Sequence, residues 1–234
     1  MNTKQVECKA LNWHFSVHPA YLIFVCSAVI VCLFLAHWQW QRAQTAQQRY
    51  AFFLKQSSLP PAQLSPQLTE FQAVRLSGDL KRLFFLDNQI HQGIVGWQVI
   101  AQINTHTYPV LVNLGWQSKQ DKPITLVELP DVLAVSGLTK KPEPGFMLAR
   151  AEADPEWPYI MQQIQLPLLN AHFQYQLFPY VVYANDAIAN LTPAPVQIEN
   201  KFAMHLGYAI QWCLIAIVCI VGFIVFSRRT TPYE

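Results

Sequence analysis

The stretch NKFAMHLGYAIQW, residues 200–212, leads directly into an apolar segment that continues to residue 226. Between residues 206 and 226 the only strongly polar side chain is that of Gln211. About 21 residues rising about 1.5 Å each cover the roughly 30 Å hydrocarbon core of a bilayer. The segment is therefore predicted to be a membrane-spanning helix, with His205 at its rim.

Four side chains at the start of this helix share one face about 100° wide, at about 100° of rotation per residue: His205, Tyr208, Ala209 and Trp212. An ionisable side chain that enters a membrane helix is costly, which favours a functional role for His205. His, Tyr and Trp at headgroup depth can also anchor a helix without binding anything. Spacing alone leaves both interpretations open.

A second apolar run occupies residues 19–36, and together the two runs account for the high hydrophobic content of 52%. A net charge of +2 gives no indication of nucleic-acid binding. The predicted organisation is a tail at 1–18, a transmembrane helix at 19–36, a domain at 37–205, a second transmembrane helix at 206–226 and a tail at 227–234.

The charges beside the second helix suggest an orientation. Arg228 and Arg229 follow it and only Lys201 precedes it, which favours a cytoplasmic C-terminus. Two spans then place both termini in the cytoplasm and the middle domain outside. The first run lacks a clear cleavage site, and no Arg-rich transit peptide precedes it. We therefore expect a multi-pass protein of the bacterial inner (plasma) membrane.

The middle domain is predicted to be rich in strands. Residues 37–56 contain helix formers without Gly or Pro and continue the first helix, and prolines at 60, 61 and 66 end it. Strands are predicted at 71–80, 82–90, 96–103, 108–117, 131–138 and 180–186, with a turn or bulge at Gly78 and a helix-like segment at 159–173 that Pro167 interrupts. The fold class is a membrane α+β protein, in which two terminal transmembrane helices flank a β-rich extracytoplasmic domain.

Few residues of the middle domain indicate catalysis. It has no nucleophile motif, no phosphate-binding glycine loop and no cysteine, so a disulfide framework or a thiolate metal site is not expected there. The histidines at 91, 106 and 172 are isolated in sequence, which favours structural roles.

His37 and His205 differ from these, because each lies where a membrane helix meets the middle domain. Two imidazoles at one depth could ligate a haem iron between the helices. For His37, a place in the aromatic belt beside Trp38 is the competing interpretation.

Several motifs in order resemble one family. Trp38-Gln39 followed by Arg42 resembles a WQ-x-x-R element, and residues 205–212 resemble an H-x-x-Y-A-x-x-W pattern. Between them, LDN at 86–88 with GW at 96–97, and VLVN at 110–113 with GW at 115–116, resemble a paired-strand signature. The chain is thus similar to the surfeit-locus (Surf/Shy) family of cytochrome c oxidase assembly proteins over nearly its whole length.

The resemblance implies a non-enzymatic assembly factor that binds haem a and assists its insertion into the oxidase catalytic subunit. It implies His205 as the haem-iron ligand, with Tyr208 and Trp212 lining the porphyrin or fixing the helix. The catalytic subunit, haem a synthase and the lipid membrane are the expected partners. The alternative is a scaffold that stabilises oxidase subunits without binding haem.

The chain departs from the family pattern at three positions. Gln89 and Leu114 stand where the family commonly has arginine. If those arginines engage a propionate or an acidic partner surface, Arg75 or Arg82 could replace them here. His37 stands where a small residue is usual, so the resemblance assigns it no role.

Overall fold

The structure, a computed structural model, describes residues 6–10, 13–142 and 159–229. The chain forms two compact units, one comprising Met1–Ala51 with Glu199–Glu234 and the other Phe52–Ile198. In chain order the elements are β1 (Val6–Ala10), β2 (Trp13–Val17), α1 (Pro19–Ser57), β3 (Ala73–His91), β4 (Ile94–Asn104), β5 (Pro109–Ser118), a 3-10 turn (Leu126–Glu128), β6 (Val132–Lys140), β7 (Tyr159–Met161), α2 (Leu166–Phe173), β8 (Val181–Ala184), α3 (Phe202–Ser227) and β9 (Arg228–Arg229).

Two long apolar helices, α1 and α3, lie near the two ends of the chain. Each contains an 18-residue window of mean hydropathy 2.5 or more, so each has the length and composition of a membrane span. The predicted extension of the first helix through residues 37–56 is confirmed, because α1 runs without a break to Ser57. It ends before Pro60, whose ring cannot continue a helix.

The predicted N-terminal and C-terminal tails contain three short strands, β1, β2 and β9. β1 pairs with β2 as an antiparallel hairpin, and β2 also pairs with β9. The segment 13–17, WHFSV, alternates apolar and polar residues, which is a sequence pattern typical of a strand. Residues 230–234 of the predicted C-terminal tail lie outside the described residues.

The second unit is a six-stranded mixed sheet in the order β4-β5-β8-β6-β3-β7, with β4 also paired to β3. This extra pairing closes β3, β4, β5, β8 and β6 into a ring. The pairs β5–β8 and β3–β7 are parallel, and the others are antiparallel. A mixed sheet domain flanked by two apolar helices therefore matches the predicted architecture.

Both faces of the central strands are covered. One cluster contains Leu83 and Phe85, and the other contains Phe84 together with Leu169 of α2. Successive side chains of a strand point to opposite faces. The run at 83–86 therefore contributes to two cores, one inside the ring and one beneath α2.

Three local predictions were wrong. The strands expected at 71–80 and 82–90 are one strand, β3, whose irregularities lie between Leu80 and Arg82 and between Leu86 and Gln89. Gly78 makes no turn, because it pairs with Leu133 in the β3–β6 ladder, and the bulge-like irregularity lies two residues further on. The helix-like segment predicted at 159–173 is a helix only from Leu166, since residues 159–161 form β7, and Pro167 does not interrupt that helix. It lies in the first turn of α2, where its missing N–H costs nothing.

Candidate functional site

The helices α1 and α3 lie side by side in antiparallel directions. Tyr21 stacks on Phe223 with ring centroids 5.6 Å apart, and Gln39 bonds His205. The two contacts are 18 residues apart on each helix, which corresponds to about 27 Å of rise. That distance is close to the roughly 30 Å thickness of a hydrocarbon core. His205 therefore lies at one end of the paired apolar segments.

Small side chains form the contact between the helices. Ala36 of α1 and Ala209 and Ala216 of α3 are buried, although most of their neighbours along each helix are exposed. Small residues let helix backbones approach closely. We call this line of residues the seam, and it separates two sides of the helix pair.

His205 is held by a hydrogen bond that crosses the seam. Its Nδ1 lies 2.9 Å from Oε1 of Gln39, and the imidazole is half-buried. A carbonyl oxygen can only accept, so the Nδ1–H of His205 donates to Gln39. The neutral ring then carries its lone pair on Nε2. Within the described residues, that nitrogen has no hydrogen-bond partner.

Two aromatic residues follow His205 on the same side of α3. Trp212 is half-buried, and Tyr208 is 48% exposed. The face predicted from the sequence is thus divided in the structure. Ala209 packs into the seam. Tyr208 lies at the other, exposed edge of this face, and Trp212 lies between Ala209 and Tyr208. We call the side that carries Gln39, His205, Tyr208 and Trp212 the His205 side.

The opposite side of the seam carries an open apolar groove that includes His37. Its volume is about 460 Å³. It is lined by Leu33, Ala36, His37 and Trp40 of α1 and by Leu206, Ala209, Ile210, Cys213 and Leu214 of α3. His37 and Gln39 are two residues apart, which is about 200° around the helix axis. His37 therefore does not converge with His205 on one site.

The ring of His37 is also engaged differently. Nε2 of Gln41 lies 2.9 Å from Nε2 of His37, one turn away on α1. An amide nitrogen donates, so Nε2 of His37 accepts, and its lone pair is occupied. Both histidines thus carry the ring proton on Nδ1, but the Nε2 lone pair accepts a hydrogen bond in His37 and has no partner among the described residues in His205.

The remaining candidates from the sequence have structural surroundings. His91 packs on Trp116 with ring centroids 5.3 Å apart, and His172 packs on Phe173 at 4.9 Å. Among the described residues, no group of three or more His, Cys, Asp or Glu side chains could hold a metal ion.

The positions that depart from the family pattern are occupied by structural contacts. The side chain of Gln89 donates to the backbone oxygen of Asp87, and Leu114 is fully buried. The arginines considered as replacements have contacts of their own. Arg75 donates to Ser136 at 3.4 Å, and Arg82 lies 4.2 Å above the ring of Phe173.

Gln39 is the site residue that the sequence did not identify as one. It belongs to the WQ element, and that membership was the available signal. Its partner is 166 residues away, and no local pattern connects the two positions. Only the packing of α1 against α3 brings them together.

A family model described as the SURF1 family matches residues 26–217. The match runs from the first apolar helix through the sheet domain into the second and includes His37, Gln39, His205 and Trp212. It confirms the resemblance that the motifs indicated. A search of curated proteins finds no significant match to this chain.

Proposed function

The chain belongs to the SURF1 family, and from this membership we propose that it binds haem a transiently through His205. Membership itself implies a role in cytochrome c oxidase assembly. The proposed step within that role is to assist insertion of haem a into the catalytic subunit. The chain would form no covalent bond, and haem a synthase is the proposed donor.

The observation that carries the proposal is the hydrogen bond from His205 to Gln39. Metal-ligating histidines usually donate their second ring N–H to a carbonyl or carboxylate, which fixes the tautomer and the ring orientation. Gln39 supplies such a carbonyl at 2.9 Å. The lone pair on Nε2 of His205 would then be available to hold a haem iron.

The surroundings of His205 fit an apolar ring as well as a metal. Trp212 and Tyr208 offer aromatic surface on the same side of α3, and both are accessible enough to contact a ligand. Haem would supply the iron that accepts an imidazole nitrogen. One histidine ligand suits a carrier, because a single bond permits release.

The proposal includes a location. Two helices with the length and composition of membrane spans are consistent with a membrane protein. We place both in a bacterial inner membrane, with the termini in the cytoplasm and the sheet domain on the outer side. His205 would then lie near the outer rim, where haem a could pass between two membrane proteins.

The decisive experiment compares the haem content of the wild type with that of His205→Gln. The substitution keeps a polar side chain of similar size and removes the imidazole. Both proteins are purified in detergent from cells that make haem a, and their absorbance spectra are recorded. We expect the wild type to carry haem a and the variant to lose most of it.

Equal haem in both proteins would show that His205 is not the ligand. If neither protein carries haem while both co-purify with oxidase subunits, the chain is a scaffold that stabilises assembly intermediates. Thermal unfolding of both proteins, followed by tryptophan fluorescence, establishes that the variant is folded.

A further inference from the structure

Each helix carries a cation one turn beyond the Gln39–His205 pair. Arg42 follows Gln39 by three residues on α1, and Lys201, the N-cap residue directly before α3, precedes His205 by four. The backbone N–H of His205 donates to the carbonyl of Lys201 at 3.1 Å, which places Lys201 one helical turn away. Because the helices are antiparallel, the step from Gln39 to Arg42 and the step from His205 to Lys201 lead in the same direction. Both lead away from the apolar segments.

Both cations also lie on the His205 side of the seam. At about 100° per residue, Lys201 lies about 40° from His205 around α3 and about 20° from Tyr208. Arg42 lies about 60° from Gln39 around α1, displaced away from the groove that contains His37. One cation from each helix therefore flanks the outer end of the candidate haem site.

Neither cation is committed to a strong partner. The guanidinium of Arg42 lies 5.5 Å from the ring centroid of Trp38 and forms no ion pair with a described carboxylate. Lys201 lies 3.7 Å from Glu199, but the two side chains are 56% and 82% exposed. An ion pair that exposed contributes little, because water screens it. Both charges can accept an anionic ligand.

We propose that Arg42 and Lys201 bind the two propionate carboxylates of the haem held by His205. This inference rests on the proposed function and adds the orientation of the ligand. His205 and Trp212 would then hold the iron and the apolar part of the porphyrin, and the two cations would hold the carboxylates at the rim. Two cations matched to two carboxylates also give the arginine of the WQ-x-x-R element a role.

Anionic phospholipid headgroups offer the same chemistry as propionates, since basic residues at a membrane rim attract them. The two sources of negative charge are distinguished by esterifying the ligand. The full chain is placed in nanodiscs of zwitterionic phosphatidylcholine, which lack anionic headgroups. Haem a and haem a dimethyl ester, whose propionates are uncharged, are titrated separately and followed by absorbance.

The proteins compared are the wild type, Arg42→Gln, Lys201→Gln and the double variant. The control is Lys55→Gln, which removes an equal charge 13 residues beyond Arg42 on α1. We expect the dissociation constant for haem a to rise about 3-fold in each single variant and about 10-fold in the double variant, as for exposed ion pairs. The constant for the ester should not change, and Lys55→Gln should match the wild type for both ligands.

Equal weakening of haem a and its ester would overturn the carboxylate assignment, because the substitutions would then act through structure. No weakening of either ligand would overturn it too, because the cations would then not contact the carboxylates. Loss of binding in His205→Gln without any effect of the cation variants would leave the proposed function standing while this inference fails. If the wild type binds neither ligand, both proposals fail.

Discussion

The imidazole Nδ1 of His205 and the side-chain oxygen of Gln39 are 2.9 Å apart, although 166 residues separate the two positions in the chain. This bond joins the first apolar helix to the second at the end of their apolar segments. It also sets which nitrogen of His205 carries the proton. The orientation of the proposed iron ligand therefore depends on the other helix.

Replacing Gln39 with leucine should weaken haem binding without abolishing it. Leucine keeps the volume but offers no acceptor, so the ring of His205 loses its orientation and its preferred tautomer. Loss of such a supporting bond typically lowers metal affinity about 10- to 100-fold. We expect a change of that size in a haem a titration followed by absorbance.

The matched control is Gln41→Leu, which removes the amide that bonds His37. Its affinity for haem a should equal that of the wild type. Equal losses in both variants would mean that the effect comes from helix packing and not from support of His205.

His37 should be dispensable for haem binding. Its Nε2 accepts from Gln41, and it lies on the groove side of the seam. We therefore expect His37→Ala to bind haem a with unchanged affinity and an unchanged absorption spectrum. His205→Gln, in contrast, should lose most of its bound haem and the absorption that comes from it. A shifted haem spectrum in His37→Ala would show that the two histidines converge on one iron after all.

The seam should not tolerate a larger side chain. Ala216 is 2% exposed between the helices, so Ala216→Leu forces them apart, and overpacking of this kind costs about 1–3 kcal/mol. We expect a lower midpoint of thermal unfolding in detergent, measured by tryptophan fluorescence. Ala203→Leu makes the same change at an exposed position of α3 and should leave the midpoint close to that of the wild type.

Gly115 should be far less replaceable than Gly93, although both have positive φ, of 141° and 81°. A side-chain carbon at Gly115 would lie 2.6 Å from the carbonyl oxygen of Thr192, whereas nothing lies within 4 Å at Gly93. Strain alone costs about 1–3 kcal/mol, so Gly93→Ala should fall in that range. Gly115→Ala adds a collision with backbone and should destabilise the protein more in chemical denaturation. Equal losses would show that the backbone near Thr192 yields.

Local patterns were sufficient to predict the main elements. Long apolar runs predicted α1 and α3, because a continuous apolar helix is the same signal in any context. The strands at 96–103 and 108–117 were found from their composition and the turn between them. The motif that contains His205 was also visible, since its four residues follow a helical spacing.

Long-range geometry was not available from those patterns. The joining of two predicted strands into β3 becomes visible only in its pairing, with β6 over residues 73–79 and with β4 from Asp79 to His91. The closure of the sheet ring depends on β8 pairing with both β5 and β6, and no local signal encodes contacts between such distant segments. The separation of His37 from His205 likewise depends on which faces of α1 and α3 meet.

The sequence by itself determined that two apolar helices flank a strand-rich domain, and that a histidine stands where the second helix begins. Both follow from the periods and lengths of hydrophobic runs, which are properties of neighbouring residues. The tertiary structure decided that Gln39 holds His205, that His37 lies across the seam, and that Arg42 and Lys201 flank the same side. These relationships arise only when α1 and α3 pack, because burying small side chains between two helices sets their register and their facing sides together.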